Sequence, residues 1–162
     1  MAISQKTDTI NWSPCYSLQW EDFEGVPDTT KKSFDAVSNP VVKYFLSSTE
    51  DTFNIKVICF FVKSKSWARF KNNDYLLLHE RGHFNIAELF ARKLRKAFNE
   101  YKFNYQTIRT DIQKIFINNT KERAIMDSIY DKETNYSKDN KKQEEWSSKI
   151  EKELNKLKEF KN

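Results

Sequence analysis

The chain has 162 residues and a mass of 19.4 kDa, which is length for one domain with a real core. Its 13 Phe, 7 Tyr and 4 Trp exclude a disordered chain, and only 2 Gly and 3 Pro exclude collagen-like and linker-like sequence. Two cysteines exclude a disulfide scaffold and a four-cysteine metal site. The net charge of +5 comes from the second half, where lysines are interspersed with glutamates. That is the pattern of a solvated helical surface, and with no block of five basic residues no nucleic-acid partner is expected.

Residues 1–10 are polar and carry no apolar core of a leader peptide, which leaves two readings: a cytosolic protein, or a mature form written without its leader. No run of 18 apolar residues exists, so no membrane span is expected. Tyr16, Leu18 and Trp20 alternate with polar residues in the manner of a strand, and Gly25-Val26-Pro27-Asp28 is a turn signal. Val41–Leu46 and the β-branched, aromatic run Phe53–Val62 read as strands, joined as a hairpin through the polar residues Ser47–Thr52. Cys15 and Cys59 both sit beside apolar neighbours, so two buried, unreactive thiols are expected; their pairing is not readable from sequence.

Near residue 70 the apolar period changes to 3.6. Asn72, Asn73 and Asp74 offer an N-cap for a helix to about Glu100, with Leu76, His83, Ala87, Phe90, Leu94 and Phe98 along one stripe. A second helix is predicted from about Thr107 to Tyr130, with Ile108, Ile112, Ile115, Phe116, Ile125 and Ile129 facing in and Asn118-Asn119 weakening its middle. A third is predicted from about Asp139 to Phe160, on Trp146, Ile150, Leu154 and Leu157. The result is an α+β fold: one domain over 1–162, with an antiparallel or mixed sheet in about 10–70 and about three helices in 71–162.

The chain's two histidines both fall in His79-Glu80-Arg81-Gly82-His83, an H-E-x-x-H pattern on the first helix. Positions i and i+4 share a helix face, so two imidazoles there can reach one zinc ion. Glu80 stands about 100° round from His79 and is the candidate catalytic base, placed to take a proton from a water whose pKa zinc lowers towards about 7. Burying two imidazoles and a carboxylate beside Leu76 and Phe90 without partners would be costly, and a metal supplies one partner for both rings. Gly82 inside the helix costs roughly 1 kcal/mol relative to Ala. It implies either a strand or substrate backbone passing close by, or tight packing against the sheet.

These residues resemble a bacterial family of unknown function described as predicted secreted zinc-dependent proteases. Trp20-Glu21-Asp22-Phe23-Glu24-Gly25-Val26-Pro27 resembles its W-x-D-F-x-G-x-P segment, and Ser66-Trp67 its S-W pair. Leu78–Glu88 resembles its H-E-x-G-H-F-D-x-A-E core. Tyr130–Tyr136 resembles its Y-D-x-x-T-x-H segment, followed by Gln143 and Trp146 at the expected spacing. The resemblance implies a zincin-like fold, Zn2+ as cofactor, a peptide or protein substrate, and secretion or a periplasmic location.

One departure bears on the site. Where the family segment ends in His, this chain has Tyr136, followed by Ser137 in place of glycine. A catalytic zinc takes three protein ligands, and no third histidine exists here, so the third ligand is either an oxygen donor or missing. Glu133 or Tyr136 is the candidate third ligand, with Asp131 in the same segment. Glu88 is five residues past His83 and points elsewhere; an ion pair with Arg92 is expected for it. The expected activity is zinc-dependent peptide hydrolysis. The alternative is a catalytically impaired metal-binding relative that acts as a binding module.

Overall fold

The computed structural model describes residues 7–162. Residues 1–6, which form most of the polar stretch considered for a leader, lie outside the described residues.

The fold is α+β. Its strands are β1 (Thr9–Asn11), β2 (Ala36–Val37), β3 (Pro40–Ser48), β4 (Phe53–Val62) and β5 (Trp67–Ala68). Its helices are α1 (Asp74–Asn99), α2 (Ile108–Glu133) and α3 (Asn140–Lys156), with a last 3-10 turn at Lys158–Phe160. All pairings are antiparallel. One sheet has the order β1-β4-β3, and β2 pairs with β5 in a second, two-stranded sheet. The hairpin lies where the sequence puts it: Pro40 pairs with Phe61 and Ser48 with Phe53, closed by Thr49 N–H donating to Thr52 O.

The alternating run in β4 buries Val57, Cys59 and Phe61 against α1, which presents Phe84, Ala87, Ala91, Leu94 and Phe98. The opposite side of α1 packs Ile86, Leu89 and Phe90 on Trp146, Ile150 and Leu154 of α3, the stripe read from sequence. Thus α1 is the central element, covered by the sheet on one side and by helices on the other. Its N-cap is Asn73, whose side chain accepts from Leu76 N–H. None of the helices among the described residues is long and apolar enough to cross a membrane.

Four expectations are corrected. Tyr16, Leu18 and Trp20 form no strand; this stretch enters a 3-10 turn at Trp20–Asp22. The Asp22 carboxylate accepts from Gln19 N–H (2.8 Å) and the Tyr16 hydroxyl (2.7 Å), and this local closure wins over alternation, although Leu18 and Trp20 still enter the core. Cys15 is exposed; Cys59 alone is buried, both are free thiols, and burial pushes the Cys59 thiol far up. Asn118-Asn119 do not interrupt α2, and Asn119 Nδ2 donates to Phe90 O across the helix pair at 3.1 Å. Finally, Ile125 and Ile129 are 61% and 42% exposed. In this half of α2 the inward face carries Arg123, Asp127, Tyr130 and Asp131 instead, because it looks onto the functional site.

Candidate functional site

The side chains of His79 and His83 leave α1 one turn apart, with ring centroids 4.9 Å from each other. Facing them, α2 presents Asp127 and Asp131, also one turn apart. Asp131 Oδ1 lies 3.1 Å from His79 Nε2 and 2.9 Å from His83 Nε2. The other ring nitrogens are held from behind. His83 Nδ1 is 2.8 Å from Asp127 Oδ1, and Arg123 supports that carboxylate with its Nε 3.3 Å from Oδ2. His79 Nδ1 is 3.1 Å from Gln143 Oε1 and 3.3 Å from Thr134 Oγ1.

These partners fix the tautomers. The Thr134 hydroxyl donates to Tyr130 O, and Gln143 Nε2 donates to the Tyr130 hydroxyl, so both turn an acceptor towards His79. Nδ1 of each ring is therefore the N–H donor, and each Nε2 carries a lone pair aimed at a carboxylate oxygen. Three electron-pair donors converge with no hydrogen among them, and the arrangement calls for a cation or for added protons. In the metal-free chain a proton on His83 supplies it. Burial opposes the His83 imidazolium, but Asp127, Asp131 and Glu80 overcome this and raise its pKa to about 10. Burial likewise opposes the Asp131 carboxylate, yet its close contacts with His79 and His83 hold its pKa well below the usual carboxylate range.

The donor set fits zinc. All three donor atoms lie within 4.8 Å of one another. Tetrahedral zinc with bonds of about 2.0–2.1 Å spaces its donors about 3.3–3.4 Å apart, close to the separations at Asp131. The partners behind the rings also fit, since metal-binding imidazoles ordinarily donate their other N–H to a carboxylate or amide oxygen, as Asp127 and Gln143 provide here.

Glu80 is 4% exposed and lines the same cavity, of about 280 Å³, as His79, His83, Asp127 and Asp131. Its Oε2 accepts from Ser38 N–H at 2.8 Å. The Ser66-Trp67 pair sets up that contact: Trp67 pairs with Val37, and Ser66 Oγ accepts from Asn39 N–H at 2.9 Å. Gly25 joins the same junction, with its N–H donating to Ser66 O at 2.8 Å and the Ser64 and Ser66 carbonyls filling the place of a Cβ.

Neither expected third ligand meets the ring nitrogens. Glu133 is about 200° round α2 from Asp131, and its Oε2 accepts from Trp146 Nε1 at 2.8 Å. Tyr136 lies past the end of α2 on the cavity wall, edge-to-face with Phe34 at 6.1 Å, and makes no hydrogen bond to either imidazole. Asp131 meets both rings instead. Glu88 does pair with Arg92, at 3.0 Å, and also with Arg95. Gly82 is required by close packing, but against Tyr130 rather than the sheet. Asp127 and Ser38 were not singled out from sequence. Asp127 had a signal, four residues before Asp131 on one helix face; the Ser38 contribution is a backbone N–H, which has none.

Residues 62–139 match the model of a bacterial family of unknown function, DUF922. The match runs from the end of β4 through both helices that carry the site. No curated protein and no solved structure matches the chain.

Proposed function

We propose that this protein is a zinc-dependent peptidase, with His79, His83 and Asp131 as zinc ligands and Glu80 as general base. The observation that carries this reading is the convergence of two imidazole lone pairs and one carboxylate oxygen, beside a second carboxylate, in one open cavity. Bound zinc would supply a Lewis acid that acidifies water and polarises a carbonyl.

The chain's own residues supply the rest. Asp127, Gln143 and Thr134 hold the imidazoles in the tautomer that offers Nε2. Tyr130 stacks on His79 at 4.6 Å and 11°, and its hydroxyl donates to His79 O, so the first ring cannot swing away. Ser38 N–H fixes one oxygen of Glu80 and leaves the other to take a proton from water. The water oxygen, freed of that proton, would bond to the carbonyl carbon, and as the peptide C–N bond breaks Glu80 would return the proton to the leaving amine. β2 is hydrogen-bonded to β5 on one side only, so its other edge can receive an extended peptide next to Glu80. Resemblance to the family described as secreted supports export as the setting.

Metal analysis of protein purified without chelator tests the first half, with about one zinc per chain expected. A peptide-library digest tests the second: the native chain cleaves and Glu80→Gln, equally zinc-loaded, does not. No metal uptake from supplied zinc would overturn the reading. Zinc without cleavage would leave a metal-binding module.

A further inference from the structure

The side wall of the cavity is built for something the hydrolytic groups do not need. Phe34, from the loop before β2, and Tyr136, from the turn between α2 and α3, meet edge-to-face on it while staying 39% and 45% exposed. Val37, Pro40 and Leu76 extend the apolar lining. Contiguous exposed apolar surface lining a cleft marks a place where a ligand binds.

The Tyr136 backbone is costlier still. Asn135, Tyr136 and Ser137 hold φ of 47°, 52° and 73°, three successive left-handed residues without a glycine. Tyr136 N–H donating to Asp131 O and Asp139 N–H donating to Thr134 O, both at 2.9 Å, keep the turn closed. Glycine would reverse the chain there without strain. A tyrosine adds a ring on the wall of the cavity that holds Glu80. This wall is also continuous with the reacting groups, since Val37 precedes Ser38 and Leu76 lies one helical turn before Glu80 on α1.

Resting on the peptidase reading, we propose that Phe34 and Tyr136 form the specificity subsite for a large apolar side chain, aromatic by preference, on the substrate residue flanking the cleaved bond. The rings would cover the guest by edge-to-face and stacked contacts of the kind they already make with each other.

The test is cleavage of peptides that differ only at that flanking residue (Phe, Leu, Ala or Glu) by zinc-loaded protein of verified melting temperature. The native chain should favour Phe and Leu over Ala and Glu by about tenfold or more in kcat/KM. Phe34→Ala and Tyr136→Asn (Asn tolerates the left-handed backbone) should each bring that ratio to within about twofold. Tyr136→Phe should keep it, because only the ring is invoked. Should Tyr136→Asn not fold, Phe34→Ala reads the same wall from the other side. An unselective native enzyme, or a preference that survives both variants or is lost in Tyr136→Phe, overturns the subsite alone. No Glu80-dependent cleavage of any peptide overturns the subsite and the peptidase reading together.

Discussion

The Tyr130 ring occupies the place of a Gly82 side chain: a Cβ there would lie 2.6 Å from Tyr130 Cζ and closer still to the hydroxyl oxygen. Tyr130 is fully buried, and its hydroxyl both donates to His79 O and accepts from Gln143 Nε2, so it cannot withdraw cheaply. Alanine is the better helix former by about 1 kcal/mol, yet overpacking of this kind costs about 1–3 kcal/mol. Gly82→Ala is therefore expected to destabilise the protein in urea titration and to weaken zinc binding, because the displaced ring is the one that pins His79. A stability equal to or above that of the native chain would show that α2 moves aside freely.

The legible part of this site was the part confined to one helix. His79 and His83 needed only the i, i+4 rule, and the capping residues Asn73 and Asp139 fixed where α1 and α3 begin. The third carboxylate was less legible because the choice among Asp131, Glu133 and Tyr136 turns on where α2 ends. With helix to Glu133, each residue advances about 100°, which puts Asp131 on the face of Asp127 and sends Glu133 to Trp146. Ile125 and Ile129 misled for a related reason. Apolar periodicity marks the inner face only where that face is apolar, and here it carries the polar side chains that hold the imidazoles.

Zinc binding separates the two assignments of the third ligand. His79→Ala, His83→Ala and Asp131→Ala are each expected to lose stoichiometric zinc in equilibrium dialysis against a chromophoric chelator. Glu133→Gln and Tyr136→Phe should bind as the native chain does, since neither side chain hydrogen-bonds to the rings. Asp127→Asn, which meets the imidazole pair only at the far nitrogen of His83, should weaken binding by about 10–100-fold. Retention of full affinity by Asp131→Ala would remove it from the ligand set.

The pH dependence of the metal-free protein follows from the same cluster. His83 titrates at about 10 when folded against 6.5 ordinarily, so its contribution is fully present below about pH 6.5 and is lost as pH rises towards 10. Asp131 is shifted the other way, down from 3.8, so its contribution is present above that value and lost as pH falls through its lowered pKa. In chelator, the melting temperature should therefore fall from pH 6.5 to 10. With zinc saturating, the alkaline fall should vanish, because zinc needs the unprotonated ring and its apparent affinity rises with pH. Parallel curves with and without zinc would contradict this.

Glu88 tests the scaffold independently of the chemistry. It is 2% exposed and receives Arg92 Nε and Arg95 Nη1, each at 3.0 Å. Those arginines reach onward, Arg92 to Leu154 O at 2.7 Å and Arg95 to Phe160 O at 3.0 Å and Val57 O at 3.2 Å. One carboxylate thus holds the C-terminal segment and β4 onto α1, on a face away from His79 and His83. Removing it leaves the buried Arg92 charge uncompensated, which costs about 3–5 kcal/mol. Glu88→Ala should lower stability by that amount in urea titration. Glu88→Gln, which keeps an acceptor but loses the charge, should cost less. If the folded fraction of Glu88→Ala still binds zinc with native affinity, the clamp and the metal site are separable parts of the fold, as their opposite placement on α1 requires.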